Sequence, residues 1–133
     1  SSIYKNRRLQ DKNLIVILSE AISNQYLELL KKLNISYLFA GKKEISLKVA
    51  LEKLYDLCSI KKLLLQGGGI TNKFFIEEDL IDELSLVVSP VVSGESNQPN
   101  LFEDCKDYLG NVFDLKQSDL LNKSGLYLKY IRK

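Results

Sequence analysis

Apolar residues recur along the chain in two alternating patterns, short continuous runs and helically spaced stripes. The stripes predict amphipathic helices at residues 23–33 and 46–58, with Ser23 and Ser46 as their N-terminal caps. The runs are typical of strands buried on both faces of a sheet, and they occupy residues 13–18, 36–40 and 61–66. We therefore expect successive βαβ units and a parallel sheet covered by helices.

The pattern changes in the last third of the chain. Residues 84–92 are almost wholly apolar and predict a long strand, in which Pro90 cannot donate to a ladder and so belongs at an edge, at a bulge or beside a ligand. Residues 95–111 are loop-like, and residues 113–121 and 125–131 predict an antiparallel pair. The predicted fold class is α/β, with a mixed sheet that is mostly parallel and ends in an antiparallel C-terminal hairpin.

Composition and charge limit the number of domains and the kinds of partner that the chain can have. The chain has 133 residues, enough for one domain with its own core. Its 19 basic and 17 acidic side chains are interspersed and leave a net charge of +2, which argues against a nucleic-acid partner. The basic cluster at residues 5–8 is interpreted as a solvated chain end. No apolar stretch is long enough for a membrane span and no signal peptide is evident, so we expect a cytoplasmic protein without a membrane partner.

The chain has no histidine and two cysteines. The absence of histidine excludes a Ser-His or zinc-hydrolase mechanism within this chain. Cys58 falls on the apolar stripe of the second helix, where we interpret it as a small hydrophobic residue, and Cys105 lies in a polar loop. We predict neither a disulfide nor a metal site, because ligand spacing is lacking. Any chemistry must then come mainly from a cofactor.

The third predicted strand runs into three consecutive glycines, Gly67, Gly68 and Gly69, and a helical pattern follows at residues 70–80. Residues without a Cβ can adopt positive φ and bring their amide N–H groups close to a ligand. At a helix N-terminus those groups and the positive dipole end favour an anion, phosphate above all. A plain tight turn between strand and helix explains the same residues equally well.

The glycine turn and residues 80–94, LIDELSLVVSPVVSG, together resemble the C-terminal reductase domain of the bifunctional riboflavin-biosynthesis deaminase-reductase. In that family a strand ends in a Gly-Gly pair and a helix follows. An LVDEL-like segment then leads into a long strand that carries a proline and closes on a glycine. The match is specific over residues 63–94 and weaker on both sides. It implies a three-layer dihydrofolate-reductase-like fold, in a single domain at residues 1–133 that lacks the family's front portion.

The resemblance also implies an activity, the reduction of a ribose to a ribityl chain by hydride transfer from NADPH. The substrate would be a pyrimidine-ribosylamine of the riboflavin pathway, and the cofactor would carry the chemistry. It implies a cis peptide between Gly67 and Gly68, and backbone N–H groups that bind the cofactor pyrophosphate. The cofactor-binding residues would be Gly67, Gly68, Gly69, Ile70, Thr71, Asn72 and Ser19.

Several other positions have two interpretations. Ser19 would contact a ribose or a 2′-phosphate, or it simply ends the first strand. Lys42 and Lys43 follow the second strand at the same predicted sheet edge, where they either select a 2′-phosphate or form a solvated loop. Gln66 stands where the family often has a glutamate near the substrate ribose, and it can hydrogen-bond but cannot act as a base.

The sequence identifies no catalytic residue. Asp82 and Glu83 match the family, but we interpret them as structural. The carboxylate that is proposed to aid hydride transfer in the family precedes the region that matches this chain. Two functions therefore remain, an NADPH-dependent reductase domain and a non-catalytic nucleotide-binding or dimerisation module. The apolar C-terminal strands, with Leu126, Leu128, Tyr130 and Ile131, expose more surface than the helices can cover, so we expect a homodimer through them.

Overall fold

The computed structural model describes residues 14–92, 94, 98–105, 112–122 and 124–133. Over these residues the chain is a mixed α/β structure with one parallel and one antiparallel sheet. It divides into two compact units, with the boundary between Leu63 and Leu64. The basic cluster at residues 5–8 and much of the predicted loop at residues 95–111 lie outside the described residues.

The first unit is a βαβ segment followed by a second helix. Its elements are β1 (Ile15–Leu18), α1 (Asn24–Lys32), β2 (Ser36–Phe39) and α2 (Leu47–Cys58). The two strands pair in parallel, with Ile15 opposite Ser36. The apolar side chains buried in this unit are Leu18, Leu30, Ala40 and Ala50. The elements predicted from the first two runs and stripes are thus confirmed. The predicted burial of the strands on both faces is wrong, because Leu18 is the one buried residue in β1 and β2.

Both helices begin at their predicted caps. The Ser23 Oγ accepts a hydrogen bond from the Tyr26 N–H at 3.3 Å, and the Ser46 Oγ accepts one from the Val49 N–H at 3.4 Å. Each bond satisfies one of the N–H groups that the first turn of a helix leaves unpaired. At the other end of α2, Cys58 is exposed, so its predicted place on a buried stripe is wrong. The whole last turn of α2 is exposed, since residues 55–58 are all exposed and Leu57 is 70% exposed.

The second unit is one helix and an antiparallel sheet. Its elements are α3 (Gly69–Glu77), β3 (Glu83–Val88), β4 (Phe113–Leu121) and β5 (Gly125–Arg132). The strand order is β3-β5-β4, and a bulge between Leu115 and Gln117 shifts the register of β4 against β5. The antiparallel pair predicted at residues 113–121 and 125–131 is confirmed.

The strand predicted at residues 61–66 is wrong, because the structure has no regular element there. Leu63 and Leu64 are 50% and 78% exposed. A strand forms only where a neighbour accepts and supplies its backbone hydrogen bonds, and none of the described strands pairs with this segment. Parallel pairing is therefore confined, over the described residues, to β1 and β2.

The strand predicted at residues 84–92 exists but stops at Val88. Val88 lies opposite Leu126, the second residue of β5, so the partner strand is nearly exhausted at this point. Pro90 follows outside the strand, and its lack of an N–H group removes one ladder bond that an extension would need.

The side chain of Arg132 connects the end of β5 to the segment before β3. Its Nη1 donates to the carbonyl oxygens of Asp79 at 2.6 Å and Ile81 at 3.3 Å, and its Nη2 forms an ion pair with the Asp79 carboxylate. The Arg132 backbone N–H donates to the Asp82 carbonyl at 2.9 Å. A guanidinium is suited to this place because its planar fork presents several donors at once.

Replacement of Arg132 by glutamine should lower the free energy of unfolding by about 1–2 kcal/mol, because two carbonyl groups lose a charged donor. Asp79→Asn is the matched control. The Asp79 side chain is 77% exposed, so loss of its charge should change stability by less than about 0.5 kcal/mol. Urea unfolding followed by circular dichroism measures both. Equal effects of the two substitutions would contradict the importance of the carbonyl bonds.

Candidate functional site

The helix α3 begins at the glycine turn without help from a side chain. Gly68 is its N-cap residue, and no side chain caps it. The first backbone hydrogen bond of the helix runs from the Asn72 N–H to the Gly68 carbonyl at 3.0 Å. The N–H groups of the first turn, which precede Asn72, have no acceptor inside the helix. They are available to an anion, which the positive end of the helix dipole also favours.

The three glycines avoid positive φ, so that part of our expectation is wrong. Gly68 has φ −71° and ψ 176°, an extended conformation common at helix caps. Among the described glycines, positive φ occurs at Gly41 alone, and no described peptide bond is cis. The predicted cis bond between Gly67 and Gly68 is therefore also wrong. An extended residue followed directly by a helical one makes the turn, and no unusual backbone geometry is needed.

What distinguishes the glycines is the space around each. A Cβ on Gly67 would lie 2.5 Å from the Cβ of Thr71, and a Cβ on Gly69 would strike the Asn100 carbonyl oxygen and lie 2.6 Å from the Glu103 Cγ. A Cβ on Gly68 would meet nothing within 4 Å. Gly67 and Gly69 are thus required by packing, whereas Gly68 borders open space.

The remaining predicted residues of the turn have different surroundings. Gln66 and Thr71 are exposed, and Ile70 is 57% exposed. Asn72 is buried, and its Nδ2 donates to the Leu101 carbonyl oxygen at 2.9 Å. The first turn is therefore exposed at Ile70 and Thr71 and buried at Gly69, while the Asn72 amide group has a partner within the protein.

Ser19, Lys42 and Lys43 belong to the first unit, where β1 and β2 end side by side. The Glu20 N–H donates to the Gly41 carbonyl at 2.9 Å, so the residues after the two strands are adjacent. Ser19 is half-buried and both lysines are exposed. Their common sheet edge agrees with the sequence-based expectation, and their role at a 2′-phosphate stays a prediction.

Asp82 and Glu83, the acidic residues that match the family, have structural contacts. The Glu83 carboxylate forms a 2.8 Å ion pair with the Lys129 Nζ of the neighbouring strand. The hydrogen bond to Glu83 raises the pKa of Lys129 above the ordinary value of a lysine, so Lys129 remains protonated at neutral pH. The Asp82 carbonyl accepts a hydrogen bond from the end of β5, as described above. Both residues thus join β3 to β5.

Sequence reasoning missed the segment at residues 98–105 as a neighbour of the glycine turn. The Glu103 N–H donates to the Gly69 carbonyl oxygen at 3.3 Å, in addition to the bond between Asn72 and Leu101. No local pattern signals such a contact, because about thirty residues separate the partners.

Comparison with known proteins decides the family. The RibD C-terminal domain matches residues 5–118. The chain belongs to the RibD C-terminal domain family. A reductase of Aquifex aeolicus, named 2,5-diamino-6-ribosylamino-4(3H)-pyrimidinone 5′-phosphate reductase, is 30% identical over 87 residues. That alignment covers 65% of this chain and 38% of the Aquifex protein.

Solved structures share the fold of this RibD C-terminal chain. RibD of Acinetobacter baumannii aligns over 97% of this chain and 34% of its own, with a TM-score of 0.74 and 23% identity. A pyrimidine reductase-like protein of Corynebacterium diphtheriae aligns over 90% of this chain and 50% of its own, with a TM-score of 0.73 and 18% identity. The RibD C-terminal chain thus spans half or less of the length of these relatives. Among its described residues, no helix combines the length and apolar character needed to cross a bilayer.

Gly69→Ala should destabilise the protein by about 1–3 kcal/mol, because the added methyl group collides with a backbone carbonyl that cannot rotate away. Gly68→Ala has room and ordinary backbone angles, so its effect should stay within about 0.5 kcal/mol. Thermal unfolding of the two variants beside the wild type measures the difference. Similar melting temperatures for both variants would contradict the packing role of Gly69.

Proposed function

We propose that this chain is the NADPH-dependent reductase domain of a riboflavin-pathway enzyme with a three-layer dihydrofolate-reductase-like fold. Its substrate would be a pyrimidine-ribosylamine phosphate, the class named in the Aquifex relative, and the reaction would reduce the ribose to a ribityl chain. The observation that carries the proposal is the uncapped first turn of α3, opened to the outside at Gly68, in a member of the RibD C-terminal domain family.

The first turn of α3 fits the pyrophosphate of a dinucleotide. The amide N–H groups of Gly69, Ile70 and Thr71 lie ahead of the first intrahelical bond, and a pyrophosphate would supply the acceptors that they need. The absence of a Cβ at Gly68 leaves space for phosphate oxygens to approach the backbone. Gly67 contributes indirectly, because it makes room for the Thr71 side chain.

The chain's own residues would orient the reactants. When bound, NADPH supplies the hydride, and the protein provides position and electrostatics. Gln66 precedes the glycines and is exposed, so its amide can donate to or accept from a hydroxyl of the substrate ribose. A neutral amide can orient that hydroxyl but cannot remove its proton.

A non-catalytic nucleotide-binding or dimerisation module is the second candidate. It is favoured by the engagement of Glu83 with Lys129, which leaves that matched carboxylate in a structural role. Phosphate binding is common to both candidates, whereas consumption of NADPH with a ribosylamino-pyrimidine distinguishes the reductase.

Gly68→Val should weaken NADPH binding by more than about tenfold, because the branched side chain would fill the space through which phosphate reaches the N–H groups. The ordinary backbone angles of Gly68 mean that folding should be retained. NADPH fluorescence titration measures the dissociation constant, and circular dichroism checks the fold. Gln117→Val, on an exposed position of β4, controls for the added apolar surface. Unchanged affinity in Gly68→Val would exclude the glycine turn as the phosphate site.

We also propose that a second copy of the chain covers one face of the C-terminal sheet. Val88, Leu126 and Leu120 lie in one row across the three strands, and they are 47%, 42% and 68% exposed. Leu115, on the same face of β4, is 55% exposed. An apolar face of this kind is typical of an association surface. A homodimer would bury the same row from both copies.

Leu120→Glu should convert the dimer to monomer at micromolar concentration, because it would place a carboxylate in the apolar row. Gln117→Glu adds the same charge to the opposite face of β4 and should leave the dimer intact. Sedimentation velocity over a concentration series measures the state of each variant. A wild-type chain that stays monomeric throughout the series would refute the dimer.

A further inference from the structure

Residues 100–103 pack against the first turn of α3, and we call this arrangement the clasp. It consists of the segment Asn100–Glu103 together with Gly69 and Asn72. Two hydrogen bonds hold it, from the Asn72 Nδ2 to the Leu101 carbonyl at 2.9 Å and from the Glu103 N–H to the Gly69 carbonyl at 3.3 Å. One bond comes from each side, so the segment and the helix each provide a donor.

Asn72 is the one buried polar side chain among the described residues, with 9% of its surface exposed. A buried amide without a partner would cost stability, so its hydrogen bond to Leu101 largely fixes its orientation. The acceptor is a backbone carbonyl. The bond therefore fixes the main chain of the segment and does not depend on which side chain stands at position 101.

Gly69 makes the close contact possible. A Cβ at this position would overlap the Asn100 carbonyl oxygen and lie 3.0 Å from the Glu103 Cδ. The segment can therefore approach the helix backbone only while residue 69 has no side chain. Gly69 and Asn72 lie three residues apart on α3, so they face the segment from the same side of the helix.

We propose that Asn72 is a positioning residue that, through the clasp, holds the first turn of α3 in the geometry that binds phosphate. The proposal rests on the proposed function only for the identity of the ligand. Asn72 would act on the N–H groups of Gly69, Ile70 and Thr71 without contacting the cofactor itself. This assigns it a different role from the direct cofactor contact that the sequence suggested.

The positioning role can be tested first without any ligand. Amide hydrogen exchange of the full chain, read by mass spectrometry, should show faster exchange in Asn72→Ala over peptides from residues 69–76 and 98–105. Peptides from β3 and β5 should exchange as in the wild type. Asn72→Asp keeps the size of the side chain but lacks the donor, so it should match Asn72→Ala. Wild-type exchange in either variant would overturn the proposal.

NADPH titration then tests the consequence for binding. Asn72→Ala and Asn72→Asp should each raise the dissociation constant about five- to twentyfold, as expected for loss of one partly buried hydrogen bond that maintains the site. Gln117→Ala is the matched control, since it removes another side-chain amide donor, bonded to Asp119 at 2.6 Å on β4. Its dissociation constant should equal that of the wild type.

A double-mutant cycle separates positioning from direct contact. Gly69→Ala disturbs the same clasp by steric overlap, so the combined variant with Asn72→Ala should lose less affinity than the sum of the two single losses.

Two results with Asn72→Ala would overturn the proposal. Weaker binding with unchanged hydrogen exchange would show a direct contact with the cofactor, and faster exchange with unchanged binding would show that the clasp does not affect the phosphate site. No NADPH binding by the wild type would remove the proposed function and leave the clasp to be decided by exchange alone.

Discussion

The start of α3 combines close packing on one side with an open backbone on the other. One side of the first turn is packed tightly by Asn100–Glu103, which requires Gly69 and uses the Asn72 side chain. The other side is open at Gly68, and among the described residues no side chain caps the helix there. A helix end that is packed on one side and uncapped on the other is suited to an anion, because its first N–H groups have no acceptor within the helix.

Family membership and geometry support different parts of the functional conclusion. Membership in the RibD C-terminal domain family comes from the match over residues 5–118, and it suggests the reaction class. The geometry of the glycine turn suggests how a phosphate would be held, and it would do so for any dinucleotide. The alignment spans 38% of the length of the Aquifex protein. The substrate of this chain is therefore a proposal that rests on the family.

The helix caps were predicted well from the sequence, whereas the absence of a strand at residues 61–66 and the contacts of the glycine turn were not. Ser23 and Ser46 were recognisable as caps because each bonds to an N–H three residues away. Residues 61–66 have the apolar pattern of a strand, but pattern alone supplies no neighbour, and the structure leaves them unpaired. The glycine triplet was interpreted as a close approach of the backbone to a ligand, and that interpretation stays a prediction. The close approach that the structure shows is between Gly69 and residues 100 and 103. Its partners at Asn100 and Glu103 could not be predicted, since a contact with a distant loop has no signature at either end.

The bulge in β4 has a consequence for how the antiparallel sheet can grow. Among the described strands β4 lies at an edge of its sheet, and edge strands attract further strands through their unpaired N–H and C=O groups. The shift between Leu115 and Gln117 breaks the regular spacing of those groups. Lys116 adds a charge within the bulge, and Asp114 and Asp119 add charges on either side of it. A strand from another molecule would meet a ladder of backbone hydrogen bonds that is interrupted at the bulge, with charged side chains beside it. This edge of the sheet is thereby protected against the addition of strands from further copies of the chain, even though the adjacent face of the sheet is rich in leucine.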